Sequence, residues 1–224
     1  MTKVTPRIRA QIWRERVVDV NDGILGVAGL LSGLVTADLR STTIIVTAVV
    51  AISAGATSMA AMRYTEASFN RDAIMTEIAE TKRRLALTPQ EEYDELVDIY
   101  LDKGLSDRLA HEVAQELSAH NALEAHIDDE LDLDERDFQS PVTAGLTAAL
   151  AFLVGALMPA LIALLVPPYN QLIVTLGAVT LSLGITSFVG AKFGHTHPAR
   201  TIIRAVSFGL LTLAIASGVG ELAD

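Results

Sequence analysis

The sequence contains no cysteine, and charged residues are missing from two long stretches. The first absence excludes disulfides and thiolate metal sites and leaves the redox compartment open. No charged residue lies between Arg40 and Arg63, and none lies between Asp137 and Lys192. A soluble domain of 224 residues has no single core that could bury such runs, so the sequence predicts an integral membrane protein. The N-terminus lacks the apolar region of a cleaved signal peptide, so none is expected.

The apolar stretches predict an all-α membrane protein with five transmembrane helices. The predicted spans cover residues 19–37, 43–62, 143–166, 171–191 and 201–220. Before the first span, residues 7–18 mix basic and apolar side chains, which predicts an interfacial helix. Five basic residues precede the first span and three flank the loop between spans 4 and 5. The positive-inside rule therefore places the N-terminus in the cytoplasm and the C-terminus outside.

The segment 65–140 differs from the rest of the chain because it is strongly acidic. It holds 21 Asp and Glu against 7 Lys and Arg, whereas the remainder is net positive. We predict a cytoplasmic domain of three helices here, between spans 2 and 3. The first helix continues span 2, and Thr88 and Glu91 form a capping box at the start of the second. Ser106 caps the third, which is one helix over residues 107–131. The predicted parts of the chain are 1–64, 65–140 and 141–224. The acidic balance of this domain favours cations as partners and disfavours nucleic acid and anionic lipid.

Two aspartates lie in or beside the first span, where a charge costs at least about 2.5 kcal/mol. One helical stripe contains Asp22, Gly26, Gly29 and Gly33. Such glycines let another helix approach closely, so we expect Asp22 to face a seam between helices, with Asp19 one turn earlier. Met59 on span 2 lies near the same depth, and a carboxylate with a thioether suits a borderline-soft divalent metal. The alternative is that Asp22 caps its helix and Met59 only packs.

Carboxylates at helical spacing recur in the acidic domain, and each set lies on one face of its helix. The sets are Glu77 with Glu80, then Glu92, Glu95 and Asp98, and finally His126 with Glu130. If the three faces converge, they form a carboxylate-rich pocket that suits Fe²⁺, Mn²⁺ or Zn²⁺. Each set taken alone is typical of a solvated acidic face, so the predicted metal site depends on all three.

Several segments of the chain resemble the vacuolar iron transporter family in its bacterial form. They are NDGILGVAGLLSG (21–33), AGATSMAA (54–61) and LVDIYLDKGLSDRLAHEVAQELSAHNALEAHIDDEL (96–131), within the five-span layout. The resemblance implies a homodimer in the bacterial inner membrane that exports Fe²⁺ or Mn²⁺ from the cytoplasm in exchange for protons. It implies no prosthetic group, and the ligand types also accept Zn²⁺ and Co²⁺.

The resemblance also assigns roles to individual residues. Asp22 and Met59 match the aspartate and methionine that line the family's transport pathway, and Glu15 lies near the pathway entrance. In the acidic domain, the residues that match the family's metal-gathering positions are Glu95, Glu92 or Asp98, His126 and Glu130. His126 stands where plant relatives have a methionine.

Four positions depart from the family pattern. Ala51 stands where some members carry a glutamate that takes part in coupling, and Arg63 stands where bacterial relatives usually have an acid. One alignment places the family's first-helix glutamates at Thr81 and Arg84, neither of which is a metal ligand. These departures bear on proton coupling and on metal binding by the first helix.

Two other classes of function are compatible with an acidic domain on a membrane anchor. A di-metal carboxylate oxidase would need Glu-x-x-His pairs aimed at each other, and none of His111, His120 and His126 has a glutamate three positions earlier. A metal sensor would bind metal in the acidic domain and has little need for Asp22. We therefore predict a transporter, not an enzyme.

Overall fold

The computed structural model of the chain describes residues 6–37, 39–130 and 140–222. These residues form seven α-helices and no strand, which confirms the predicted all-α class for the described part of the chain. The helices are α1 (Pro6–Thr36), α2 (Ser41–Leu87), α3 (Pro89–Asp102), α4 (Asp107–Glu130), α5 (Pro141–Leu165), α6 (Pro168–Phe193) and α7 (Pro198–Glu221).

Five of the described helices are long and apolar enough to cross a membrane, as predicted. They are α1, α2, α5, α6 and α7. Helix α1 runs from Pro6 to Thr36 without a break, so the segment predicted to be interfacial and the first span belong to one helix. The position of residues 7–18 at a membrane surface stays a prediction.

Helix α2 contains 47 residues and continues span 2 into the acidic segment, as predicted. No Gly or Pro lies between Gly55 and Pro89, so nothing in the sequence ends the helix earlier. The described chain forms two compact units, and α2 contributes to both. The first, here called the membrane unit, has residues up to Thr65 and from Ser140 onward. The second, the acidic unit, begins at Glu66.

In the membrane unit, α1 lies among α5, α6 and α7 and contacts all three. One buried cluster includes Val27 and Phe152, and a second includes Ile24, Leu183 and Leu213. Most large apolar side chains of the outer helices are exposed, as expected where lipid replaces water around a span.

Helices α1 and α5 cross at two glycines. A Cβ atom added to Gly23 would overlap the carbonyl oxygen of Phe152, and one added to Gly155 would overlap the carbonyl oxygen of Val20. In lipid, helices associate through such close backbone packing, since no hydrophobic driving force operates between them.

We expect Gly155→Ala to destabilise the membrane unit, because the added methyl group must push α1 away. The expected loss is about 1–3 kcal/mol of unfolding free energy, the usual cost of overpacking. Gly184→Ala is a matched control, because a Cβ at Gly184 meets no atom within 4 Å. Thermal unfolding in detergent, followed by circular dichroism, measures both. Equal melting temperatures for the two variants would show that the crossing tolerates a side chain.

The acidic unit has a small core of its own. Its buried apolar residues are Leu96, Val97, Ala110, Ala114 and Ala125. The capping box predicted at Thr88 is wrong, because this side chain makes no bond to the first amides of α3. The Thr88 hydroxyl instead donates to the carbonyl of Arg84 at 3.3 Å. Thr88 thus satisfies a carbonyl in the last turn of α2, which ends one residue before it.

The third helix of the acidic unit is broken, contrary to the prediction. Asn121 has φ −160° and ψ 91°, which are not helical angles. Its Oδ1 accepts a hydrogen bond from the Glu124 backbone N–H at 3.3 Å, and its Nδ2 donates to the Glu124 carboxylate at 2.9 Å. Asparagine with an acid three residues later is a good helix start, which explains the break. Just after it, Ala125 and His126 are buried.

Candidate functional site

Three acids follow one another along α1 at spacings of four and three residues, which puts them on one side of the helix. They are Glu15, Asp19 and Asp22. Their surroundings differ: Glu15 is half-buried, Asp19 is buried and Asp22 is exposed. The three carboxylates therefore differ in how readily a cation from solution can reach them.

Asp19 belongs to a buried ion pair between α1 and α2. It is only 1% exposed, and its Oδ1 accepts a hydrogen bond from Arg63 Nη2 at 2.8 Å. Arg16 Nη1 lies 3.8 Å from the other carboxylate oxygen. Arg63, one of the departures from the family pattern, thus neutralises a carboxylate that would be costly to bury alone.

Asp22 makes no hydrogen bond or ion pair with any described residue. The glycines beyond Asp22 were expected to line one seam between helices. Within the isolated chain they do not all contact the same neighbouring helix. Gly29 and Gly33 pack on α7, at Thr212 and Ala216, but a Cβ at Gly26 would meet nothing within 4 Å. The Asp22 end of the stripe is therefore open in the isolated chain.

Met59 lies in the membrane unit, on α2. Its side chain is 7% exposed and belongs to the buried cluster that includes Ala148 and Phe152. In one isolated chain this is a packing position, as the alternative interpretation of the sequence proposed. A role for the thioether in metal binding stays a prediction.

In the acidic unit, Arg84 occupies a place between carboxylates. Its Nε donates to Glu92 Oε1 at 3.0 Å, and its Nη1 lies 3.9 Å from Glu77 Oε1. Its Nη2 also donates to the Thr81 hydroxyl at 3.4 Å. The guanidinium therefore joins α2 to the first turn of α3, and it supplies a positive charge where the sequence predicted a metal ion.

The other predicted ligands are more exposed. Glu80 accepts two hydrogen bonds from Arg83, at 2.6 and 3.0 Å, and this arginine lowers the pKa of the Glu80 carboxyl below its usual value. Glu95 and Asp98 are exposed on α3, and the side chain of Glu130 lies outside the described residues. Within the described ranges, no three His, Asp or Glu side chains are close enough together to hold a metal ion.

Glu92 and His126 are the predicted ligands that the structure buries, at 3% and 1% exposure. Glu92 Oε2 has no hydrogen-bond partner among the described residues. A buried carboxylate oxygen without a partner is costly, so this atom is suited to accept a cation. Sequence reasoning missed the role of Arg84. No spacing rule could have paired it with Glu92, because the two residues lie on different helices.

Fold and site together define a polytopic α-helical membrane protein with acids inside its first span. The VIT family profile matches residues 13–221, and the chain belongs to this family.

Named relatives match most of this chain. A vacuolar iron transporter of Acanthamoeba castellanii is 30% identical, over 94% of this chain and 78% of the relative. Vacuolar iron transporter 1 of Tulipa gesneriana is 27% identical, over 94% and 86% of the two chains. Vacuolar iron transporter 1 of Arabidopsis thaliana is 24% identical, over 92% and 84%.

Proposed function

We propose that this protein is a secondary transporter that moves Fe²⁺ out of the cytoplasm, with Mn²⁺ as a further substrate. The observation that carries the proposal is Asp22, a carboxylate in the first span that has no partner among the described residues. Intramembrane acids of this kind are characteristic of ion pathways. The names of the relatives agree with iron as the substrate.

The proposed transporter is a homodimer in which a second copy covers the open part of the stripe on α1. Two observations favour this arrangement: Asp22 is exposed, and Gly26 has open space beside it. A second α1 could approach there closely, as glycines permit in lipid. The pathway would then run between the subunits, with Glu15 near its entrance, Asp22 within it and Met59 nearby. Asp19 would hold α1 against α2 beside the pathway, through its ion pair with Arg63.

The acidic unit would gather the metal on the cytoplasmic side. Its candidate ligands are Glu77, Glu80, Glu92, Glu95, Asp98, His126 and Glu130. The open oxygen of Glu92 supports a cation site here. The strongly acidic balance of this segment would also raise the local concentration of divalent cations.

Protons are the proposed counter-ions. A carboxylate such as Asp22 holds either a proton or a metal ion, so the two compete for one site. The orientation follows from the basic residues, which lie mainly at the end of the membrane unit where α1 begins. The proposed location is a bacterial inner membrane.

The experiment is Fe²⁺ uptake into proteoliposomes that contain the purified chain and a quenchable dye, under ascorbate. We expect uptake above that of empty liposomes, and faster uptake when the lumen is acidic. Uptake equal to that of empty liposomes would contradict the transport proposal. Oxygen consumption, recorded in the same sample, separates transport from Fe²⁺ oxidation.

We expect Arg84→Gln to tighten metal binding by the acidic unit about tenfold, because one neighbouring charge shifts a carboxylate equilibrium by about that amount. The variant removes the cation that contacts Glu92 and Glu77. Titration calorimetry of the full chain with Mn²⁺, which is stable in air, measures the change in Kd. Lys82→Gln removes an exposed charge from the same helix and is the control. Equal affinity in both variants would show that Arg84 does not compete with metal.

A further inference from the structure

One cavity in the membrane unit is lined by none of the acids of α1. It has a volume of about 410 Å³ and lies between α1, α6 and α7, at the end where α1 begins. Arg14 and Arg204 line it, and none of its described lining residues is acidic. Neither arginine forms an ion pair within the described chain. Among the described residues, the Arg14 side chain makes one hydrogen bond, a long one from Nε to the Ala10 carbonyl at 3.4 Å.

The polar part of the lining consists of hydroxyl and amide groups beside these two arginines. Ser187 is 1% exposed, and its Oγ has no hydrogen-bond partner among the described residues. Asn21, Thr196 and Thr201 also line the cavity. Two guanidinium groups with hydroxyl donors form a set that binds phosphate oxygens well.

The rest of the lining is apolar. Val18 and Phe208 line the cavity, and both are more than half exposed in the isolated chain. Nearby, Trp13 of α1 stacks on Phe193 of α6, with ring centroids 4.8 Å apart. Amphipathic aromatic rings of this kind lie at the level of lipid headgroups. The cavity therefore combines a cationic polar part with an apolar exit, at the depth of a membrane interface.

We propose that this cavity binds the phosphate group of an anionic phospholipid. Arg14 and Arg204 hold the phosphate, and an acyl chain leaves along Phe208. Basic pockets between transmembrane helices bind anionic headgroups by the same chemistry. None of the described lining residues is a proposed metal ligand, so the site does not depend on the proposed transport.

The test is binding of phosphatidylglycerol to the full chain in detergent, measured by native mass spectrometry and by the shift in melting temperature. We expect the double variant Arg14→Gln/Arg204→Gln to bind this lipid about twenty-five-fold more weakly, because each arginine contributes roughly fivefold. The matched control is Arg40→Gln/Arg200→Gln. It removes two exposed arginines that do not line the cavity and should bind as the wild type does.

Three results would contradict the proposal. Equal losses in the two double variants would indicate attraction by overall charge. Phosphatidylcholine that binds as tightly as phosphatidylglycerol would show that the headgroup charge is not recognised. Stabilisation by inorganic phosphate but not by the lipid would identify a free-anion site. If the double variant melts early without lipid, Arg204→Gln alone should still lose about fivefold, and an unchanged affinity would overturn the proposal.

Discussion

Asp22→Asn should reduce Fe²⁺ flux through proteoliposomes at least about a hundredfold. Loss of a group that merely supports a metal ligand costs about 10–100-fold in affinity or activity, and Asp22 is proposed to contact the ion itself. The substitution keeps the size of the side chain and removes only its charge. Because Asp22 makes no hydrogen bond or ion pair with a described residue, the variant should melt at the wild-type temperature. Flux and melting temperature together measure the effect.

The control for this experiment is Glu221→Gln, which removes an exposed acid at the end of α7. It should transport at the wild-type rate. Wild-type flux in Asp22→Asn would refute the pathway through Asp22, and it would favour a sensor in which the spans only anchor the acidic unit. A loss of flux equal to that of Glu221→Gln would indicate a general effect of charge.

Arg63→Ala should lower the unfolding free energy of the membrane unit by about 3–5 kcal/mol. Removal of Arg63 takes away the cation that is hydrogen-bonded to the almost fully buried Asp19. Arg16 remains, but its Nη1 lies 3.8 Å away and makes no hydrogen bond to this carboxylate, so the loss is costly. At about 2–4 °C for each kcal/mol in a chain of this size, the melting temperature should fall by roughly 10 °C. Thermal unfolding in detergent measures the fall.

The double variant Asp19→Leu/Arg63→Met separates the cost of an unpaired charge from the value of the pair. Because it removes both charges, it should recover most of the lost stability. Arg40→Ala, which removes an exposed arginine, should change stability by no more than about 0.5 kcal/mol. A double variant as unstable as Arg63→Ala would show that the side chains stabilise the unit by packing.

Much of the fold could be predicted because its signals are local. The uncharged runs indicate the spans, and the lack of Gly and Pro after Gly55 predicts that α2 continues to the acidic segment. The break at Asn121 also had a local signal, since Glu124 follows at the spacing of a capping box. That signal was overlooked because the apolar stripe continues past it.

The site was less predictable because its contacts join distant parts of the sequence. Arg63 and Asp19 are 44 residues apart, and no spacing rule connects residues on two different helices. Arg84 and Glu92 are eight residues apart but lie on either side of the turn at Thr88. Their pairing depends on the angle at which α3 leaves α2, which the sequence pattern does not encode.

The close crossing of α1 and α5 at glycines limits which helices can move relative to each other during transport. Their backbones touch at Gly23 and Gly155, so neither helix can slide along or rotate against the other without a clash. The two helices therefore act as one rigid frame. Any switch between inward-open and outward-open states must take its hinge from other contacts, such as those of α2 or those between two subunits.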